Sequence, residues 1–198
     1  MERTPYNELS LCGTLKEIPA FSHESHGMRY FSFPLCIKRL SGVIDTVNVI
    51  TAETLFPEDL CPGDFLSVVG ELRSFNNNSG IGNKLAIFAF AKVLSRDKTE
   101  YQNDLKLGGV ICKVPIYRRT PFGREICDLM LAINRKYGRS DYLPCIAWGR
   151  ISSAASVLNT GDFVHITGRL QSRTYVKALE DHEETRTAFE VSVFTLET

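Results

Sequence analysis

The feature that most constrains this chain is an internal repeat. Asn7-Glu-Leu-Ser-Leu-Cys-Gly13 falls on Asn103-Asp-Leu-Lys-Leu-Gly-Gly109 at a constant offset of 96. The same offset carries Pro19 onto Pro115, Gly27 onto Gly123, Leu35 onto Leu131, and Arg39, Gly42 and Asp45 onto Arg135, Gly138 and Asp141. A two-residue shift then aligns Gly63-Asp64-Phe65 with Gly161-Asp162-Phe163, and Gly70, Leu72 and Ser74 with Gly168, Leu170 and Ser172. Turn glycines and apolar positions that keep register this far describe one small fold used twice. The 198 residues then divide into domains at 1–96 and 103–198, joined through the polar stretch Ser95-Arg-Asp-Lys-Thr-Glu100.

Each copy reads as short strands with one weak helix. In the second, Leu105, Leu107, Gly109 and Ile111 alternate with other residues, as a strand with one buried face requires. Thr120-Pro-Phe-Gly123 suits a type I turn. Cys127, Leu129, Leu131 and Ile133 give a second apolar face, and Tyr142 to Trp148 a third strand. Ser152 to Leu158 is a helix candidate ended by Asn159-Thr-Gly161. Phe163 to Arg173 and Thr187 to Leu196 complete the set. Strand, strand, strand, helix, strand, strand is the order of the OB-fold, a five-stranded Greek-key barrel that commonly binds oligonucleotides. The expected class is all-β, with two such barrels in tandem and one short helix each.

Side chains alternate along a strand, so parity sorts them into faces. On the third strand of the second copy, Leu143, Cys145 and Ala147 take the core, leaving Tyr142, Pro144, Ile146 and Trp148 outward. On the fourth, Val164, Ile166, Gly168, Leu170 and Ser172 share the core parity, leaving His165, Thr167, Arg169, Gln171, Arg173 and Tyr175 outward. The loop Asn134-Arg135-Lys136-Tyr137-Gly138-Arg139 adds further cations. Aromatic rings stack on bases whatever their identity, and cations along a groove balance phosphates. One outward aromatic would serve a subunit interface as readily. Several, interleaved with cations on one face, point to single-stranded nucleic acid, with Lys177 extending the basic set.

Composition narrows the alternatives. Lys and Arg total 23 against 23 Asp and Glu, with 43% hydrophobic residues. That is a globular composition, and its neutral average argues against a purely electrostatic, histone-like binder. Residues 101–198 carry two more basic than acidic side chains and residues 1–100 two fewer, which favours the second copy for an anionic partner. No apolar run is long enough to cross a membrane and no secretory signal opens the chain. The six cysteines, at 12, 36, 61, 112, 127 and 145, show no metal-ligand spacing and read as buried reduced thiols of a cytoplasmic protein. His23 and His26 lack a third ligand and read as a solvated turn. Asp45 and Asp141, beside Arg39 and Arg135, suit turn capping or an ion pair. No phosphate-cradling loop or nucleophile elbow is present, so neither catalytic residues, cofactor, metal nor small-molecule substrate is expected.

The second copy resembles the bacterial single-stranded DNA-binding protein family, a homotetramer-forming OB-fold group. Leu131-Ala132, Tyr142-Leu-Pro-Cys-Ile-Ala-Trp-Gly149, Gly161-Asp-Phe-Val-His-Ile-Thr-Gly-Arg-Leu-Gln-Ser-Arg173 and Glu190-Val-Ser-Val193 carry the resemblance in order. It implies base stacking at Tyr137, Tyr142, Trp148 and Tyr175, with Arg135, Lys136, Arg139, Arg169, Arg173 and Lys177 balancing phosphates. The first copy has Ser41, Thr46, Ala52 and Asn77 at the stacking positions and Glu71 in place of Arg169. It is expected mainly to complete the assembly, keeping Arg39, Arg73, Phe75 and Lys84 as candidate contacts, with a mobile loop over residues 74–82 that could close over a strand. By analogy, two chains supply four barrels as a homodimer. Relatives that act in replication usually end in a long acidic-tipped tail, whereas this sequence stops at Thr198. The resemblance therefore implies a tandem variant without that device, like primosomal replication protein N. The expected function is sequence-tolerant binding of single-stranded DNA in replication, repair or recombination. RNA binding on the same face and a primosome-like protein-interaction scaffold are the alternatives.

Overall fold

Alternating Leu, Val and Ile between turn glycines can bury one face by closing a sheet on itself, and the chain does so twice. The computed structural model describes residues 3–78, 82–178 and 183–198, with the side chain of Tyr137 outside that description. Packing divides it into two units. One takes residues 8–73 and 88–104, the other the described residues of 1–7, 74–87 and 105–198.

The first unit is built on strands β1 (Tyr6–Leu15), β2 (Ala20–Ser25), β3 (Met28–Lys38), β4 (Ile44–Ala52), β5 (Phe65–Asn76) and β6 (Leu85–Ser95). β1 runs antiparallel to β5, with Leu11 opposite Val68, and meets β3 again where Thr14 faces Cys36. β4 pairs antiparallel with β3 and parallel with β6 (Val49 with Ala89), and β6 lies beside β5. The order β1-β3-β4-β6-β5 closes a barrel, with β2 hairpinned on the edge of β3.

The second unit repeats the plan with β7 (Gln102–Ile111), β8 (Ile116–Arg119), β9 (Glu125–Asn134), β10 (Ser140–Trp148), helix α1 (Arg150–Ser156), β11 (Phe163–Ala178) and β12 (Glu183–Glu197). β7 pairs with β11 and closes on β9 (Ile111 with Leu131). β10 runs antiparallel to β9 and parallel to β12 (Cys145 with Val191), and β12 pairs antiparallel with β11. Leu105, Leu107, Leu131, Leu143, Cys145, Ile166 and Leu170 fill the interior, and so do Leu9, Leu11, Leu35, Val47, Val49, Val68 and Leu72 at matching positions of the first barrel.

Two local devices recur and explain why the repeat keeps its glycines. Where the barrels close, a Cβ on Gly109 would stand 2.6 Å from the Ala132 carbonyl oxygen, and one on Gly13 would collide with that of Cys36. No other residue allows the strands to cross so closely. Before the fourth strand, Gly63 and Gly161 take φ of 97° and 101°. Gly63 N–H donates to Leu15 O (2.8 Å) and Leu15 N–H to Asp64 O (2.8 Å); Gly161 and Ile111 repeat the pair at 2.9 Å each. The Asp64 carboxylate accepts from Cys61 N–H (2.8 Å) and that of Asp162 from Asn159 N–H (2.7 Å).

Several sequence expectations shift. The stretch before Thr120 forms a separate strand, β8, whose four residues are all exposed; lacking a buried face, it gave no alternation to read. It joins β9 through the expected turn, with Gly123 N–H donating to Thr120 O (2.8 Å). The helix begins at Arg150 and ends at Ser156, before the expected Leu158. Gly149 opens it at φ 55°, a conformation natural only to glycine, so no side-chain cap announced the start. In the first barrel the helix reduces to a 3-10 turn over Glu53–Leu55. Ile146 has outward parity yet is 5% exposed, because parity fixes direction and not cover. Cys61 is exposed, against the expectation for the thiols, since it lies in the turn before Gly63; Cys36 and Cys112 are half-buried. All six cysteines are free. His23 lies on β2, stacked on Tyr30 at 4.9 Å, and His26-Gly27 forms the following turn, both at positive φ. Of the expected loop at 74–82, residues 74–76 continue β5, and residues 79–81 lie outside the described residues. Among the described residues no helix is long and apolar enough to cross a membrane.

Candidate nucleic-acid interface

Strand register places the candidate side chains on one face of the second barrel. β10 lies between β9 and β12, and β12 between β10 and β11. Ile146 aligns with Ser192 on β12, and Ser192 with Arg169 on β11. Stepping two residues at a time keeps the face, so Pro144 lies beside Glu190 and Gln171, and Tyr142 beside Ala188 and Arg173. Tyr175 then faces Arg186, and Lys177 faces Glu184. Tyr142 is 45% exposed, and Trp148 and Tyr175 are half-buried. Tyr142 and Trp148 are six residues apart on one strand, about 20 Å at ~3.3 Å per residue. Rings at that spacing can hold different bases of one strand.

The cations fall into two groups. Arg173 Nε lies 3.0 Å from the carboxylate of Glu190, which also accepts from Gln171 Nε2 at 3.0 Å. The Arg173 guanidinium stands 5.6 Å from the Tyr175 ring centre. Arg135 Nε lies 3.0 Å from the fully buried carboxylate of Asp141. Asp141 also accepts from Ser74 N–H (2.8 Å), and Ser74 Oγ accepts from Tyr142 N–H (2.8 Å). The acidic repeat position thus holds an ion pair, as does Asp45, bound by Arg39 Nε and Nη2 at 2.6 and 2.5 Å. The other group carries no ion pair among the described residues: Lys136 and Arg139 in the exposed turn after β9, Lys177 near the end of β11, and Arg169. Arg169 Nε is buried without a hydrogen-bond partner, and its guanidinium lies 5.7 Å from the Phe194 ring centre. Tyr137 belongs to the 3-10 turn Lys136–Gly138, but its side chain lies outside the described residues.

The same face of the first barrel is closed by its own charges. Glu71, at the position of Arg169, binds Arg73 (Nε 3.0 Å, Nη2 2.8 Å) and Lys92. Burial alone would raise the Glu71 carboxyl, but hydrogen bonds from Lys92 and Arg73 outweigh it and hold the group below its ordinary value. Arg73 also lies 3.6 Å over the Phe90 ring, covering an aromatic face that a base would need.

The sequence reading missed three contributors. Phe194 is 50% exposed at a bulge where β12 slips against Thr167 and Gly168. In the parallel register it falls two residues past Ser192, as Trp148 falls two past Ile146. Parity on the fifth strand would have found it. Arg186 was missed because that strand starts at Glu183, before the expected Thr187. Asn83 donates to Thr187 O (2.5 Å) and accepts from the Tyr175 hydroxyl (3.0 Å); it is 92 residues from Tyr175 and leaves no local signal.

Two closed five-stranded barrels of this connectivity, one bearing an open aromatic and basic sheet face, define a tandem OB-fold protein. Residues 102–197 match the model of the single-strand binding protein family. Single-stranded DNA-binding protein 2 of Listeria innocua is 31% identical over 80 residues, 37% of this chain and 50% of the relative. Single-stranded DNA-binding protein A of Bacillus subtilis is 32% identical over 80 residues, 37% and 46%. The chain thus spans about half the length of the curated relatives it matches. The wild-type single-stranded DNA-binding protein of Thermus aquaticus superposes with a TM-score of 0.77 at 24% identity, over 98% of this chain and 93% of that one. A deletion variant of it gives 0.76 at 23%, over 99% and 95%. These likenesses show the fold over nearly the whole chain. The resemblance to the bacterial single-stranded DNA-binding protein family is borne out.

Proposed function

We propose that this protein binds single-stranded DNA, with little sequence preference and without catalysis, across the outer face of the second barrel. One observation carries the reading: Tyr142, Trp148 and Tyr175 share the outward face of neighbouring strands with Arg169 and Lys177, cations that no carboxylate neutralises among the described residues. Bases stack on Trp148, Tyr142, Tyr175 and Tyr137. Lys136, Arg139, Arg169 and Lys177 take phosphates directly, while Arg135 and Arg173 contribute from positions shared with Asp141 and Glu190. Stacking is indifferent to base identity, which makes the binding sequence-tolerant. The N-terminal barrel, its face filled by the Glu71–Arg73–Lys92 cluster, mainly supports the assembly. A homodimer in the cytoplasm, presenting four barrels, would serve replication, repair or recombination.

The test is fluorescence anisotropy with labelled dT, rU and duplex oligonucleotides of equal length. Binding of dT well above duplex is expected. Equal affinity for dT and rU would replace the DNA preference with general single-strand binding, and equal affinity for duplex would overturn the stacking mechanism. Light scattering should give twice the 22.2 kDa chain mass, and a monomer would remove the four-barrel assembly.

A further inference from the structure

Residues 77, 78 and 82–84 come from the first repeat, yet they belong to the second unit, where Gly82 and Asn83 bond to the β11–β12 ribbon. Asn77 N–H donates to Lys84 O at 2.7 Å and closes the base of their turn. Three bonds tether the turn to the ribbon. The Tyr175 hydroxyl donates to Asn83 Oδ1 (3.0 Å), Asn83 Nδ2 donates to Thr187 O (2.5 Å), and Arg186 Nη1 donates to the Gly82 carbonyl. Arg186 is itself held by Glu184, at 2.8 Å through Nε and 2.6 Å through Nη2, so its charge is neutralised and it works as a brace.

Between turn and ribbon lies a cleft of about 590 Å³, a size in the range of small-ligand pockets, roughly 300–1,000 Å³. Its chemistry is specific. Tyr175, Asn77, Asn78, Lys84 and Lys177 all line the cleft. Both lysines are exposed, and neither makes an ion pair among the described residues. Asn77 is also the repeat counterpart of Tyr175, so the two equivalent positions meet in one site. A flat ring, two amides and two unneutralised cations suit a nucleotide: a base against Tyr175, its polar edge toward the amides, its phosphate between the lysines.

We infer that this cleft is a nucleotide subsite of the single-strand path, in which the first repeat supplies Lys84, Asn77 and Asn78, with Asn83 orienting Tyr175. The inference rests on the single-strand binding proposed above and extends it: the first repeat contributes contacts and not only support.

Lys84→Ala and Asn83→Ala in the full chain test it, using labelled oligo-dT and the fluorescence of Trp148, which lies outside the cleft and is the sole tryptophan. Lys84→Ala should weaken binding and make the plot of log affinity against log salt shallower by about 0.7, the value of one single-strand phosphate contact. Asn83→Ala should weaken binding with the slope unchanged, because it carries no charge. Both variants should still quench Trp148 at saturating DNA. Wild-type affinity and slope in Lys84→Ala, with quenching intact, would overturn the subsite and leave the main reading standing. Failure of the unaltered protein to bind oligo-dT would overturn both.

Discussion

Arg169→Glu restores at one point the charge that the first barrel carries at Glu71, and the structure says how much binding should change. In the first barrel that carboxylate is held by Arg73 and Lys92. In the second barrel the residue two places after Arg169 is Gln171, and across the strand lies Ser192, so the new carboxylate meets no cation from these neighbours. It would face the phosphates instead. Of the six proposed phosphate ligands, Arg135 and Arg173 are already paired with Asp141 and Glu190. The four unpaired cations of this set and Lys84 of the cleft, at about 0.7 per single-strand phosphate contact, give a slope of log affinity against log salt near −3.5, about a 100-fold loss between 50 and 200 mM salt. Arg169→Glu should make the slope shallower by about 0.7 or more. Loss of one charged hydrogen bond, worth about 1.5–3 kcal/mol, should cut affinity by at least ~10-fold. The assay is anisotropy of labelled oligo-dT across a salt series, with circular dichroism to confirm folding. A folded variant with the wild-type slope would refute the reasoning, and so would a wild-type slope near zero.

Tyr142→Ala and Trp148→Ala should each lose about 1–3 kcal/mol of oligo-dT affinity with little change in salt slope, since stacking releases no counterions; Phe at either position should recover most of it, as titration would show. Asp141→Ala removes a fully buried carboxylate that pairs with Arg135 and accepts from Ser74 N–H; it should cost about 3–5 kcal/mol of stability in chemical denaturation, the penalty for breaking a buried ion pair. Glu71 has a depressed folded pKa, so its ion cluster stabilises the fold above the pKa of an unfolded glutamate and is lost as pH falls through the lower folded value. Glu71→Gln should therefore destabilise the protein by a constant amount above about pH 5, with the difference from wild type vanishing in acid.

The repeat made most of this architecture legible, because a barrel needs the same devices each time it closes. Gly13 and Gly109 mark the crossings, Gly63-Asp64 and Gly161-Asp162 the turns, and the Leu–Val–Ile alternation the interior. Parity then separated Tyr142 and Trp148 from Leu143 and Cys145 without any coordinates. What stayed hidden was of two kinds. β8 and the helix start at Gly149 carry no alternation and no side-chain cap, so local pattern had nothing to grip. Asn83 and Ser74 act through contacts some 70 to 90 residues away in sequence, and the pairing of Arg173 with Glu190 depends on strand register that spacing alone does not fix.

The most direct measurement is the fluorescence of Trp148 during titration with oligo-dT at low salt. Trp148 stands half-buried on the proposed face and is the chain's single tryptophan, so its emission reports that face alone. Saturable quenching, weakening as salt is raised, is the expected result. Unchanged emission at saturating oligonucleotide and low salt would contradict the claim that a single strand stacks across the second barrel.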